Sequence, residues 1–314
     1  MLVIVAPGQG AQTPGFLNPW LELDGVADQL RQWSDVAGID LVHYGTEASE
    51  EEIKDTAVAQ PLLVAAGLVT AEVLLPTEAP TRKLLGAVAG HSVGEITAAA
   101  LAGVLSPADA LTFVGERGRA MAAAAAVTET GMIAVLGGDP EEVASKLADH
   151  GLTAANNNGG GQIVAAGTLD QLAALREDPP AKAKLIALKV AGAFHTEHMA
   201  PGVTRLAELA PSLTVADPAV AYVSNRDGEV VQSGAEVLAR LVSQVSNPVR
   251  WDLCMETLQQ LGATCVIELS PAGTLTGLVK RNVKGVATLA LKTPADLDKA
   301  RDLVAEHLGE ESAA

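Results

Sequence analysis

Residues 84 to 103, LLGAVAGHSVGEITAAALAG, constrain the fold more than any other stretch of the chain. Leu84 to Ala89 is a short apolar run that reads as a strand, and Ile96, Ala99, Ala100 and Val104 recur at helical spacing. Between them Gly90-His91-Ser92-Val93-Gly94 fits G-x-S-x-G, the sharp turn that lifts a nucleophile off the end of a strand. A helix starting just past Ser92 would also aim its free N–H groups and positive dipole end at charge developing there. Strand, elbow and helix in this order predict a layered α/β core.

The rest of the chain agrees with that core. Leu2 to Ala6 reads as a buried strand that breaks at Pro7 and Gly8, and DTAVAQPLLVAAGLVTAEVLL reads as a helix. After the alanine run at 122 to 126 the pattern changes to strand (131–136), helix (139–149), strand (152–157), strand (162–167), helix (168–177) and strand (185–190). That order, βαββαβ, is ferredoxin-like. It predicts a small subdomain at 127–191 inserted into a large α/β subdomain, discontinuous over 1–126 and 192–314. The tail GEESAA reads as frayed.

Charge and composition exclude several classes of function. A formal charge of −17 argues against general nucleic-acid binding, which draws on a basic face. No run approaches the roughly 18 uninterrupted apolar residues of a membrane span, and MLVIVAPGQG lacks a basic region and cleavage site, so a cytoplasmic protein without membrane association is expected. Cys254 and Cys265 are too few for a disulfide framework or a zinc site and read as reduced, buried thiols.

A serine hydroxyl needs a base close in space. Of the six histidines, His43, His150 and His307 sit in polar surroundings and read as surface groups, while His91 reads as structural. His195, in VAGAFHTEHM, follows a predicted strand, where functional groups of α/β folds gather. With His198 it lacks the third ligand of a metal site and does not match H-E-x-x-H. PGQGAQTPG, residues 7 to 15, fails the phosphate-loop patterns: Thr13 stands where a glycine is needed, and the Walker lysine is missing. A glycine-rich turn there can instead bring a backbone N–H to a substrate oxygen and, with the N–H of Val93, form a two-donor oxyanion hole.

The segments PGQGAQ, AQPLL, GHSVGE, ERGRAM, NNNGGGQIVAAG, GAFHTEHM, NPVRW and LTGLVKR occur in an order that resembles the malonyl-CoA:acyl carrier protein transacylases of fatty-acid and polyketide synthesis. The resemblance implies an α/β-hydrolase-like large subdomain and a two-step transfer from malonyl-CoA to acyl carrier protein, with no metal or redox cofactor. It implies Ser92 as nucleophile, His195 as base, and the N–H groups of Gln9 and Val93 as oxyanion hole. Arg117 would clamp the malonyl carboxylate, as a planar guanidinium can with two parallel bonds. Gln60, Phe194 and Asn158 would line the substrate site. The backbone carbonyl of Arg250, where many relatives have glutamine, would orient His195 in place of an aspartate. A methylmalonyl-selective transferase, a serine hydrolase and a non-catalytic docking protein are the alternatives. Phe194 and Val93 resemble malonyl-type members, a hydrolase has no reason to place Arg117 against an acyl carboxylate, and a docking protein has no need of Ser92 with His195.

Overall fold

The computed structural model describes residues 1–75 and 85–311, the side chains of 308–311 excepted. Leu84, read above as the start of a strand, and the last three residues of the tail lie outside the described residues. The strands are β1 (Leu2–Ala6), β2 (Ala87–Gly90), β3 (Thr130–Gly137), β4 (Thr153–Asn157), β5 (Gln162–Thr168), β6 (Ala183–Ala187), β7 (Ala221–Val223), β8 (Val230–Val231), β9 (Val249–Arg250), β10 (Cys265–Glu268) and β11 (Ala287–Ala290). They form two sheets in a mixed α/β architecture.

The six-stranded sheet has the order β11-β10-β1-β2-β7-β8. Only the β7–β8 pair is antiparallel. Every residue of β1, β2 and β10 is buried, as expected of parallel strands covered on both faces. Because β1, β2 and β7 are adjacent and parallel, the segments that follow them meet at one edge. Those segments carry Gln9, Ser92 and Asn225, and the carboxyl ends of such strands form the crevice where α/β proteins bind ligands.

Helix Thr56–Leu74 packs beneath this crevice. Asp55 caps it by accepting from the Ala57 N–H. By length and mean hydropathy (1.7) it could cross a membrane, yet 78% of that window is buried inside the fold, which makes it a core helix. Each buried Leu or Val along it contributes about 1.5–3 kcal/mol. Helix Pro107–Ala125 begins with Ser106 as cap and Pro107 in its first turn, and carries Arg117 on its buried face.

The five-stranded sheet has the order β6-β3-β5-β4-β9. Its first four strands pair antiparallel, while β9 joins β4 in parallel from residues 249–250, far along the chain. Strand β6 ends at Ala187, not at residue 190 as expected. Leu188 donates one last bond to the Met132 carbonyl, and then Leu188 and Val190 leave the sheet to line a cavity. Their apolar alternation serves that cavity.

Candidate active site

The GHSVG turn is as tight as its glycines allow. A Cβ on Gly90 would lie 2.0 Å from the Gly94 carbonyl oxygen, and one on Gly94 would lie 2.2 Å from that of Ala6. Ser92 at the apex has φ of 53°, the left-handed region that a non-glycine residue enters at a cost of about 1–3 kcal/mol. Neighbouring groups offset that cost. The Ser92 N–H donates to Asn225 Oδ1 at 2.8 Å, and Asn225 Nδ2 donates to the Gly90 carbonyl at 2.7 Å.

His195, read as the base, lies against this serine. Ser92 Oγ and His195 Nε2 are 2.7 Å apart. On its other side His195 Nδ1 is 2.9 Å from the Gln244 carbonyl oxygen. A carbonyl only accepts, so Nδ1 carries the proton and Nε2 offers its lone pair to the serine O–H. His195 also has a positive φ, 62°, and its own N–H donates to the Val245 carbonyl at 3.0 Å. Burial, with the Arg117 charge second, pushes its pKa down to about 3, so the imidazole is neutral and able to accept a proton at neutral pH.

The orienting carbonyl therefore belongs to Gln244 and not to Arg250. The Arg250 N–H donates to the Asn225 carbonyl at 2.7 Å, and its guanidinium is spent on Asp252 at 2.7 and 2.9 Å. Strand pairing of Arg250 with Asn157 holds it in the small sheet, away from the imidazole.

Arg117 is 1% exposed. It donates to Gln60 Oε1 at 2.5 Å, to Gln244 Oε1 at 2.7 Å and to Ser92 Oγ at 3.4 Å. Among the described residues no carboxylate is in contact with it. Burial lowers its pKa to about 9, opposed by Glu95, and the group stays cationic at neutral pH. Glu95 is itself buried and is pushed up to about 7 by that burial. It accepts from the Asn225 N–H at 2.7 Å and from Gln244 Nε2.

These groups open into a cavity of about 90 Å³, lined by Gln9, Gln60, Ser92, Arg117, Phe194 and His195 with Met121 and Met132. That is several times the roughly 10–15 Å³ that such a cavity needs to admit one water, so the space suits an acyl group of a few heavy atoms. Val93 lines it too, and the N–H groups of Gln9 and Val93 have no hydrogen-bond partner among the described residues. The next three N–H groups, of Gly94, Glu95 and Ile96, are taken by the carbonyls of His91, Ser92 and Val93. Asn158 lies one groove away, holding His91 Nε2 at 2.9 Å, and the asparagine in the acyl cavity is Asn156. Both cysteines are buried and free. Among the described residues no three His, Cys, Asp or Glu are placed to hold a metal ion.

Residues 3–303 match the acyl transferase domain family. The chain belongs to the acyl transferase family. Within that family it groups with the malonyl-CoA:acyl carrier protein transacylases. It is 52% identical over 307 residues to the malonyl CoA-acyl carrier protein transacylase of Mycobacterium bovis, covering 96% of this chain and 100% of that one. The crystal structure of MCAT from Mycobacterium tuberculosis superposes with a TM-score of 0.91 at 53% identity, covering 96% and 99% of the two chains. A type II PKS acyl-carrier protein in complex with its malonyl-transacylase is also similar, with a TM-score of 0.88 at 29% identity and coverage of 96% and 99%.

The residues of this arrangement to which no sequence reading pointed are Gln244, Asn225 and Glu95, while Asn156, within NNNGGG, takes the cavity position expected of Asn158. Glu95 stands next to the elbow in GHSVGE, where a carboxylate at a helix start reads equally as a solvated first-turn residue. Gln244 acts on His195 through its backbone, and a carbonyl leaves no mark on residue identity. Asn156 follows a register irregularity between Ala154 and Asn156 in the β4–β5 pairing, which an alternating pattern cannot foresee.

Proposed function

We infer that the protein moves a malonyl group from malonyl-CoA to the phosphopantetheine thiol of acyl carrier protein, and we propose that it does so through an ester on Ser92. The observation that carries this reading is the chain of contacts Ser92 Oγ, His195 Nε2, His195 Nδ1–H and Gln244 carbonyl at 2.7 and 2.9 Å. Ser92 Oγ attacks the thioester carbon while its proton passes to His195 Nε2. The tetrahedral oxyanion is met by the N–H groups of Gln9 and Val93. Collapse breaks the C–S bond, and the imidazolium returns the proton to the departing CoA sulfur. In the second half-reaction the carrier thiol gives its proton to His195 and attacks the ester, and the same proton restores the Ser92 hydroxyl.

Arg117 holds the malonyl carboxylate in this reading. A buried guanidinium whose contacts are all neutral acceptors is suited to an anionic ligand. Gln60 and Phe194 wall the acyl group, and Asn158 acts at one remove through His91. Every step is a proton or acyl transfer, so no metal or redox cofactor is called for. The small antiparallel strand order β6-β3-β5-β4 supports a ferredoxin-like subdomain at 127–191, set into an α/β-hydrolase-like unit of 1–126 and 192–314. The setting we propose is the cytoplasm.

Intact-mass analysis after mixing with malonyl-CoA tests the reading. The wild type gains one malonyl group, and Ser92→Ala gains none. A Ser92→Ala protein that loads at the wild-type rate would put the nucleophile elsewhere. His195→Ala loads roughly 10²-fold slower or worse.

A further inference from the structure

The buried charges around Ser92 form a small closed system. Arg117 is the cation, Glu95 is the carboxyl, and the Gln244 side chain stands between them: its Oε1 takes Arg117 Nη2 at 2.7 Å and its Nε2 donates to Glu95 Oε2. The other groups facing Glu95 come from three further elements. The Tyr222 hydroxyl, on β7, is buried beside it and faces its carboxyl. The Cys254 thiol, on helix Trp251–Gln260, donates to the Ser224 carbonyl at 3.3 Å. The Asn225 and Ser224 segment after β7 supplies neutral polar contacts. Burial raises Tyr222 and Cys254 well above their usual range and lowers His195, so all three stay neutral near pH 7. Glu95 is left as the one group in the cluster that exchanges a proton there.

In the empty site a single guanidinium faces a single carboxyl across an amide. A substrate that brings its own carboxylate to Arg117 puts two anions on one buried cation, an excess that a desolvated site tolerates poorly. Tyr222 can give a hydrogen bond but not its proton, so relief has to come from solvent.

We propose that Glu95 is the counter-ion of Arg117 in the empty enzyme and that it takes up a proton when a substrate carboxylate occupies that guanidinium. Glu95 is a positioning residue here: it touches no reacting atom and acts through Gln244. The inference rests on the reading that Arg117 holds the malonyl carboxylate. It goes further in making acylation by a dicarboxylic half-thioester proton-linked and acylation by a neutral acyl group not. The balance is simple. Exchange of thioester for ester conserves protons, since near pH 7 CoA leaves mostly as the thiol. Any net uptake therefore belongs to the protein.

The test is stopped-flow mixing of the full-length enzyme with malonyl-CoA or acetyl-CoA near pH 7, in weak buffer with a pH indicator, against the ester formed by intact mass. The expected result is uptake of a fraction of a proton per serine malonylated and none per serine acetylated. Glu95→Gln is expected to abolish the uptake while still forming malonyl ester. Conversely the malonyl-to-acetyl ratio of kcat/KM should rise in the wild type as pH falls through 7, and be flat in Glu95→Gln. Equal proton counts for the two acyl groups, or undiminished uptake in Glu95→Gln, overturns the proposal. Arg117 is tested separately: a malonyl preference that survives Arg117→Ala overturns the reading beneath it, whereas an Arg117-dependent preference without proton uptake overturns only the role of Glu95.

Discussion

The carbonyl oxygen of Gln244 lies 2.9 Å from Nδ1 of His195, while the amide of the same residue accepts from Arg117 at 2.7 Å. One residue thus fixes the tautomer of the base with its backbone and the pose of the guanidinium with its side chain.

Substitution separates those two duties. Gln244→Ala keeps the carbonyl and loses the amide, so acetyl loading should change little. Malonyl loading should drop by the ~1–3 kcal/mol of leaving buried polar partners unmet, about 5- to 150-fold. Arg250→Ala should leave both rates near wild type, because its guanidinium serves a partly exposed pair with Asp252, outside the acyl cavity, worth on the order of 1 kcal/mol. Loading rates for the two thioesters, measured side by side, check this. A large loss in Arg250→Ala would return the orienting duty to residue 250.

Arg117→Ala should lose malonyl transfer by about 2–5 kcal/mol, the cost of leaving a buried carboxylate unpaired, while acetyl transfer falls much less. Steady-state kcat/KM for both donors gives the answer. A parallel loss would mean that Arg117 supports the packing of its helix and not the acyl carboxylate.

His195 should not titrate between about pH 5 and 8, and its imidazole should hold the proton on Nδ1 throughout, as nitrogen-15 NMR can report. A midpoint near the ordinary 6.5 would contradict the burial that lowers it to about 3. Stability carries the same information. The unfolded chain binds a proton on this histidine below 6.5 and the folded one does not, so folding loses about 1.4 kcal/mol per pH unit as pH falls from 6.5 toward 3. Glu95 works the other way: raised from 4.5 to about 7, it makes folding more favourable as pH falls through that window. The two slopes oppose each other between 4.5 and 6.5, and buried His91, also lowered, adds to the loss, so the wild type should lose stability more gently there than Glu95→Gln. Denaturant unfolding at about pH 5 and pH 7 should show the larger drop in Glu95→Gln, and equal drops would contradict the raised Glu95.

Carrier-protein recognition should be electrostatic and local, because the protein's own charge of −17 opposes an acidic partner at long range. Lys182, Lys184 and Lys189 are exposed along and beyond β6, and Lys189 flanks the groove beside Gln9. Lys280, Arg281 and Lys284 are exposed at the end of helix Thr274–Asn282. Charge reversal in one of these clusters should raise KM for carrier protein without changing Ser92 loading, and salt should weaken the wild-type encounter, since the Debye length is about 10 Å at 0.1 M. Indifference to both salt and reversal would remove electrostatics from docking.

Much of this was legible from residue types in order. The elbow at Ser92 announced itself because its glycines have steric duties that no other residue can meet. His195 stood at a strand end, and Gln60, Phe194 and Arg117 came with the motifs around them. What escaped was carried by backbone or by register. Gln244 offers His195 a carbonyl that any residue could offer. Asn156 replaces Asn158 in the cavity after an irregularity in β4, and Leu188 and Val190 look like strand but line the pocket.

The long reach of these contacts also bears on synthesis of the chain. Ser92 precedes its base by 103 residues and Gln244 by 152. At about 5–20 residues per second the ribosome needs roughly 8–30 s to travel from the serine to Gln244. Within that interval the nascent elbow acquires its imidazole, then Asn225, and last the Gln244 carbonyl. A newly made Ser92 should therefore stay chemically latent toward acyl-CoA until Gln244 has been added to the chain.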